Sequence, residues 1–142
     1  MSMMTEKEAG RPQVATAGVA QRLSQMEMLL SISRQVAAHE TLEEMLKTII
    51  QLTTEKTNSE RGSIFLNDER TGELYTRYAQ GNIRREIRIL NNQGVAGHVF
   101  QAGQGVIILD AYKDDRFDSS VDKETGFVTR SILCAPIRTA KG

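Results

Sequence analysis

The sequence predicts an α+β domain built on a largely antiparallel sheet. Three observations carry this. Apolar residues recur at three- and four-residue steps between Val19 and Leu52. Beyond Ser63 the period falls to two, and the short apolar runs that follow are separated by turns rich in Gly, Asn and Asp. Two helices followed by successive strands is the order of an α+β fold.

Residues 1–18 hold few large apolar side chains and include Gly10, Pro12 and Gly18, which reads as a flexible tail. A helix is expected over 19–39. Its stripe has two edges: Leu23, Met26, Leu30 and Ala37 on one, Leu29, Ile32 and Val36 on the other. One edge can face the domain while the other meets a second copy of the same helix; burial of both against the chain's own sheet is the alternative. Thr41-Leu-Glu-Glu44 has the form of a capping box. It opens a second helix with an apolar face of Leu42, Met45, Leu46, Ile49, Ile50 and Leu52, fading in the polar run Thr53–Glu60.

Ser63–Leu66 and Glu73–Ala79 then form a hairpin across the turn residues Asn67–Gly72. Gln80-Gly-Asn82 turns the chain again, and Glu86–Leu90 alternates as a half-buried strand does. A short helix over Val95–Gln101 ends at Gly103-Gln-Gly105. Val106–Leu109 is strand-like, and after an Asp-rich loop the last strand is expected over Ser131–Ile137.

Length and composition bound the function. A chain of 142 residues is about one domain, and 39% hydrophobic residues can build an ordinary core. Eighteen basic and eighteen acidic residues cancel, so no concentrated charge points to a nucleic-acid or membrane-surface partner. No apolar run approaches the roughly 20 residues that span a bilayer. The polar start MSMMTEKEAGRPQ lacks the apolar stretch of a secretory signal. A single cysteine, Cys134, fits a reduced, cytoplasmic protein and, mid-strand, an inert thiol.

No catalytic constellation is visible. His39 and His98 stand apart, with no metal-ligand spacing around them. Asp114, Asp115, Asp118, Asp122 and Glu124 do not follow a Ca²⁺-loop pattern and read as a solvated loop. Gln93-Gly-Val-Ala-Gly97 is not a phosphate loop, yet small residues at a strand-to-helix turn let backbone amides approach an anion. No metal and no cofactor are therefore expected.

The order Ser63-Ile-Phe-Leu66, Glu86-Ile-Arg-Ile89, Gln93-Gly-Val-Ala-Gly-His98, Asp110-Ala-Tyr112, Arg116-Phe117, Val121-Asp122, Thr125-Gly-Phe127 and Thr129–Ile137 closely resembles a GAF domain. The nearest kind is the cyclic-nucleotide-binding one of phosphodiesterases and bacterial class III adenylate cyclases. The resemblance runs from about Leu23 to the C-terminus and divides the chain into a tail (1–18), a possible dimer or linker helix (19–39) and a partial GAF domain (40–142). It implies a central antiparallel sheet of about six strands, helices on one face and a ligand pocket on the other. Arg138–Gly142 resembles the start of a turn before one more strand and a helix, which implies a fold incomplete at its C-terminus.

Carried over position by position, the pocket would use Ser63, the Ala79–Gln80 corner, and the backbone amides of Val95 and Ala96 facing a cyclic phosphate. Asp118, Asp122, Thr125 and Thr129 would close over the base and ribose. The implied function is that of a regulatory sensor, not an enzyme. It would bind cAMP or cGMP, dimerise through the first helix, and signal to an output domain such as an adenylate or guanylate cyclase. Ile107 stands where binding members usually carry Asn, Lys123 where they carry an acid, and the aromatic that would stack on the base near Ala79 is missing. The alternative is a GAF-fold dimerisation module with a vestigial or different-ligand pocket.

Overall fold

The computed structural model describes residues 12–81 and 86–140. It divides into two compact units, residues 1–52 and 53–142, with the boundary inside the second helix.

The first unit is helical. Helix α1 spans Pro12–Ala37 and α2 spans Leu42–Thr57. Residues 12–18 are thus helical, where a flexible tail was expected; residues 1–11 lie outside the described set. Ile32 and Val36, on one edge of the α1 stripe, are half-buried, whereas Leu29 of that edge and Leu23, Met26 and Leu30 of the other are exposed. At the start of α2 the Glu44 amide donates to Thr41 Oγ1 at 3.3 Å, one half of the capping box. The Glu44 carboxylate lies 4.0 Å from His39 Nδ1, and His39 Nε2 is 2.6 Å from Thr48 Oγ1. Leu46, Ile50 and Thr54 are buried at four-residue steps down one face of α2.

In the second unit, β1 (Ser63–Asp68), β2 (Glu73–Ala79) and β3 (Arg88–Leu90) form an antiparallel sheet in that order. Asp68 shapes the first turn: its backbone carbonyl accepts from the Gly72 amide at 2.9 Å and its carboxylate from the Arg70 amide at 3.1 Å. Gly72 takes φ +67°, which a glycine adopts without strain. The β1–β2 register slips between Ile64 and Phe65, a bulge with Arg77 as the additional residue of β2. The third strand is shorter than expected at its start. The Ile87 amide donates to the Thr76 hydroxyl at 2.9 Å, so a side chain takes the place of a ladder carbonyl there.

Helix α3 (Gly94–Ala102) ends at Gly103, φ +63°, and lies against β3 and against β5 (Ile132–Cys134). Strand β5 pairs antiparallel with β4 (Val106–Ile108) as a separate two-stranded ladder. Among the described residues five strands thus fall into two ladders, rather than one sheet of six. The last strand stops at Cys134, not Ile137. Pro136 has no N–H to continue a ladder. A short 3-10 turn (Ala111–Lys113) and helix α4 (Ser120–Thr125) connect β4 to β5. Ile64, Leu74, Val95, Val99, Ile108 and Ala111 are buried, each worth roughly 1.5–3 kcal/mol if fully buried, less for alanine. No described helix is long and apolar enough to cross a membrane.

Candidate functional site

The end of the β1–β2 hairpin is locked by a reciprocal pair of bonds. The Gln80 amide donates to the Gly62 carbonyl, and the Gly62 amide donates to Gln80 Oε1, both at 2.9 Å. Ser63 and Ala79 are cross-strand partners beside this lock, so three of the predicted residues form one corner. The Ser63 side of the corner is exposed and Ala79 is half-buried. Gly81 follows with φ +101°, and a Cβ there would lie 2.8 Å from the Arg61 guanidinium carbon. The positive φ is what favours glycine here, since the atoms a Cβ would meet are the far end of a flexible side chain. The Arg61 guanidinium also stands 4.0 Å from the centroid of Phe127. Arg61 thereby joins the hairpin corner to the α4–β5 connection through a cation–π contact.

That connection is braced by one carboxylate. Asp122, on α4, is buried and accepts three hydrogen bonds: Thr129 amide at 2.7 Å, Thr129 Oγ1 at 2.7 Å and Tyr112 hydroxyl at 2.8 Å. Burial alone would raise this acid. The donors of Thr129 and Tyr112, helped by the charge of Arg61, outweigh it and hold the carboxyl below its ordinary value. The same bond, with burial, pushes the Tyr112 phenol up. Tyr112 also meets Phe117 edge-on, with ring centroids 5.2 Å apart. Thr125 Oγ1 donates to the Val121 carbonyl at 2.8 Å and accepts from the Phe127 amide at 3.4 Å, and Gly126, φ +72°, ends α4. Asp118 accepts from the Ser120 amide at 2.9 Å and starts the helix. The polar atoms of Asp122, Thr125 and Thr129 are thus bonded to their own neighbours in the chain.

Val95 and Ala96 occupy the first turn of α3. Gln93 at the N-cap makes no side-chain bond to that turn. A Cβ on Gly94 would lie 3.8 Å from the Arg116 carbonyl oxygen, which puts this turn beside the Asp-rich loop. There Asp114 is gripped by Arg116 through bonds of 2.8 and 2.6 Å from the guanidinium and 3.0 Å from the amide. These bonds hold Asp114 down at about 2. The loop is therefore partly structured, not simply solvated. Among the described residues no group of three or more His, Cys, Asp or Glu is placed to hold a metal ion. His98 is exposed, and burial pushes the half-buried Cys134 thiol up, which disfavours the reactive thiolate.

Sequence reasoning gave no role to Arg61, Tyr112 or Phe127. Arg61 sits in the polar run after α2, with nothing near it in sequence to mark a partner 66 positions on. The glycine at 81 was the one available signal, since an isolated glycine after a strand marks a close approach.

A family model for the GAF domain matches residues 41–142. The chain is 27% identical to the "Probable 3',5'-cyclic phosphodiesterase pde-5" of Caenorhabditis elegans, covering 95% of this chain and 20% of that protein. It is also 27% identical to the "Dual 3',5'-cyclic-AMP and -GMP phosphodiesterase 11" of Drosophila melanogaster, covering 93% of this chain and 10% of that one. The chain therefore spans a tenth to a fifth of the length of the curated relatives it matches. Among solved structures, the GAF domain from a phosphoenolpyruvate-protein phosphotransferase of Coxiella burnetii superposes with a TM-score of 0.72 at 22% identity, over 81% of this chain and 70% of that one. At that identity the likeness speaks for the fold alone. With the family model matched over most of its length and the mixed antiparallel architecture in place, this chain belongs to the GAF domain family.

Proposed function

We infer that the chain is a regulatory sensor domain that binds a cyclic nucleotide, cAMP or cGMP, and passes the signal through its helices to an output domain such as a nucleotide cyclase. The observation that carries this is the convergence at Arg61. The hairpin corner of Ser63, Ala79 and Gln80 and the 122–129 segment, distant in sequence, meet there around a guanidinium. Such a charge, with the first turn of α3, suits an anionic ligand. The cyclic-nucleotide class is supported by the two phosphodiesterase relatives, whose likeness extends over nearly the whole chain. In this reading the ligand meets Ser63, the corner and the amides of Val95 and Ala96, while Asp122, Thr125 and Thr129 shape the wall above it. Two copies associate through α1, whose Leu23–Met26–Leu30 edge is exposed.

The second reading, a dimerisation module with a vestigial pocket, is favoured by one observation: the Asp122 and Thr129 groups expected to face a ligand are already bonded to each other. Calorimetry with cAMP and with cGMP separates the two. Micromolar or tighter binding of either supports the sensor; no heat and no thermal shift with both leaves the module.

A further inference from the structure

Helix α1 is about 39 Å long, and most helices of that length are held by packing an apolar face. Within its own unit α1 makes no extended contact with α2. Beside Leu29, at 61%, its large exposed apolar residues are Val19, Leu23, Met26 and Leu30, at 58%, 55%, 60% and 57% exposure. They follow at steps of four, three and four, and the same alternation continues to Ser33 and Ala37. That is the a/d seam of a heptad, with Leu23, Leu30 and Ala37 at a and Val19, Met26 and Ser33 at d. The flanking g and e positions include Arg22 and Glu27, both exposed.

We propose that α1 forms a parallel, in-register coiled coil with a second copy of this chain, aligned by Arg22 of each helix meeting Glu27 of the other. The proposal rests on the dimer part of the reading above and adds its geometry. In a parallel pair a g residue faces the e residue five positions further along the partner, which matches a cation to an acid twice per dimer. The same alignment stacks Val19, Leu23, Met26 and Leu30 on their own copies and leaves the small Ser33 and Ala37 together at the far end. The antiparallel pairing that brings Met26 opposite Leu30 does worse. It sets Leu23 against the Ser33 hydroxyl and Arg22 against Val36, keeping only a Glu27–Arg34 match.

The test uses the whole chain carrying Cys134→Ser with Val19→Cys, and sedimentation velocity of the unaltered chain. Parallel, in-register helices place the two Cys at position 19 side by side, so mild oxidation yields a disulfide-linked dimer. Antiparallel helices hold them about 27 Å apart, far beyond bridging reach. Arg22→Glu should weaken the dimer about tenfold, by losing two pairs and adding two repulsions, and Arg22→Glu with Glu27→Arg should restore it. A dimer that forms no linked species, or one weakened by Arg34→Glu but not by Arg22→Glu, overturns the parallel alignment and leaves dimerisation standing. A monomer at every concentration overturns the dimer reading, and the alignment with it.

Discussion

Replacing Asp122 by alanine should lower the melting temperature at neutral pH by about 10 °C. The side chain is buried at 7% exposure and accepts bonds of 2.7, 2.7 and 2.8 Å. Tyr112 is 56% exposed, so its hydroxyl recovers a water and its bond contributes little to the net. The two Thr129 donors are part-buried, and a hydrogen bond to a charged group is worth about 1.5–3 kcal/mol. Offsetting relief of carboxylate burial leaves a loss of about 3 kcal/mol, which a domain of this size registers as roughly 3–4 °C per kcal/mol. Thr129→Val removes only the hydroxyl bond and should cost about a third as much. Circular dichroism melts of both variants make the check. A shift under about 3 °C for Asp122→Ala would refute the bracing role and return the carboxylate to a ligand-facing one.

Acid should unfold the domain through the same groups. Asp122 and Asp114 are both held below their ordinary 3.8, Asp114 at about 2. Their contribution is complete above the unfolded value and disappears as pH falls through the folded ones, so urea-unfolding stability should be flat near pH 6 and decline between about 4 and 2. Asp114→Asn should flatten the lower part of that decline; an unchanged slope would remove the Arg116 grip as its cause. Gly97→Ala should destabilise by roughly 1–3 kcal/mol despite better helix propensity, because its Cβ would lie 2.9 Å from the Asn92 carbonyl carbon and 3.2 Å from that of Asn91. Unchanged urea unfolding would show that the turn before α3 yields freely.

The elements most legible in the sequence were those fixed by local periodicity. Glu73–Ala79, bounded by the turn residues before Gly72 and after Ala79, was expected as one strand and is β2 end to end. Thr41 begins α2 because its hydroxyl finds the Glu44 amide within one turn. What the period could not convey was which strand neighbours which. A three-residue strand such as β4 or β5 carries no register of its own, and its pairing depends on partners far along the chain. The site divides the same way. The pocket positions were named from the resemblance, and the structure brings three of them, Ser63, Ala79 and Gln80, to one end of the hairpin. The role of Asp122 depends on which donors reach it first, and Thr129 and Tyr112 come from opposite sides of it in sequence. No motif encodes that competition.

The energies rank in a way that matters for a sensor. Inside the 118–130 segment the two Thr129 bonds to Asp122 are charge-assisted and part-buried, and Thr125 adds a neutral one, so the segment holds its shape as a unit. Its contact with the hairpin corner includes the Arg61–Phe127 stack, a kind of interaction worth about 0.5–1 kcal/mol where partly exposed. A micromolar ligand supplies about 8 kcal/mol, so only a small fraction, applied differently to two positions of the segment, shifts their populations severalfold. In the sensor reading the strong brace and the weak stack are therefore both needed. The brace keeps the wall intact while it moves, and the stack is feeble enough for an anion competing for the Arg61 charge to displace it.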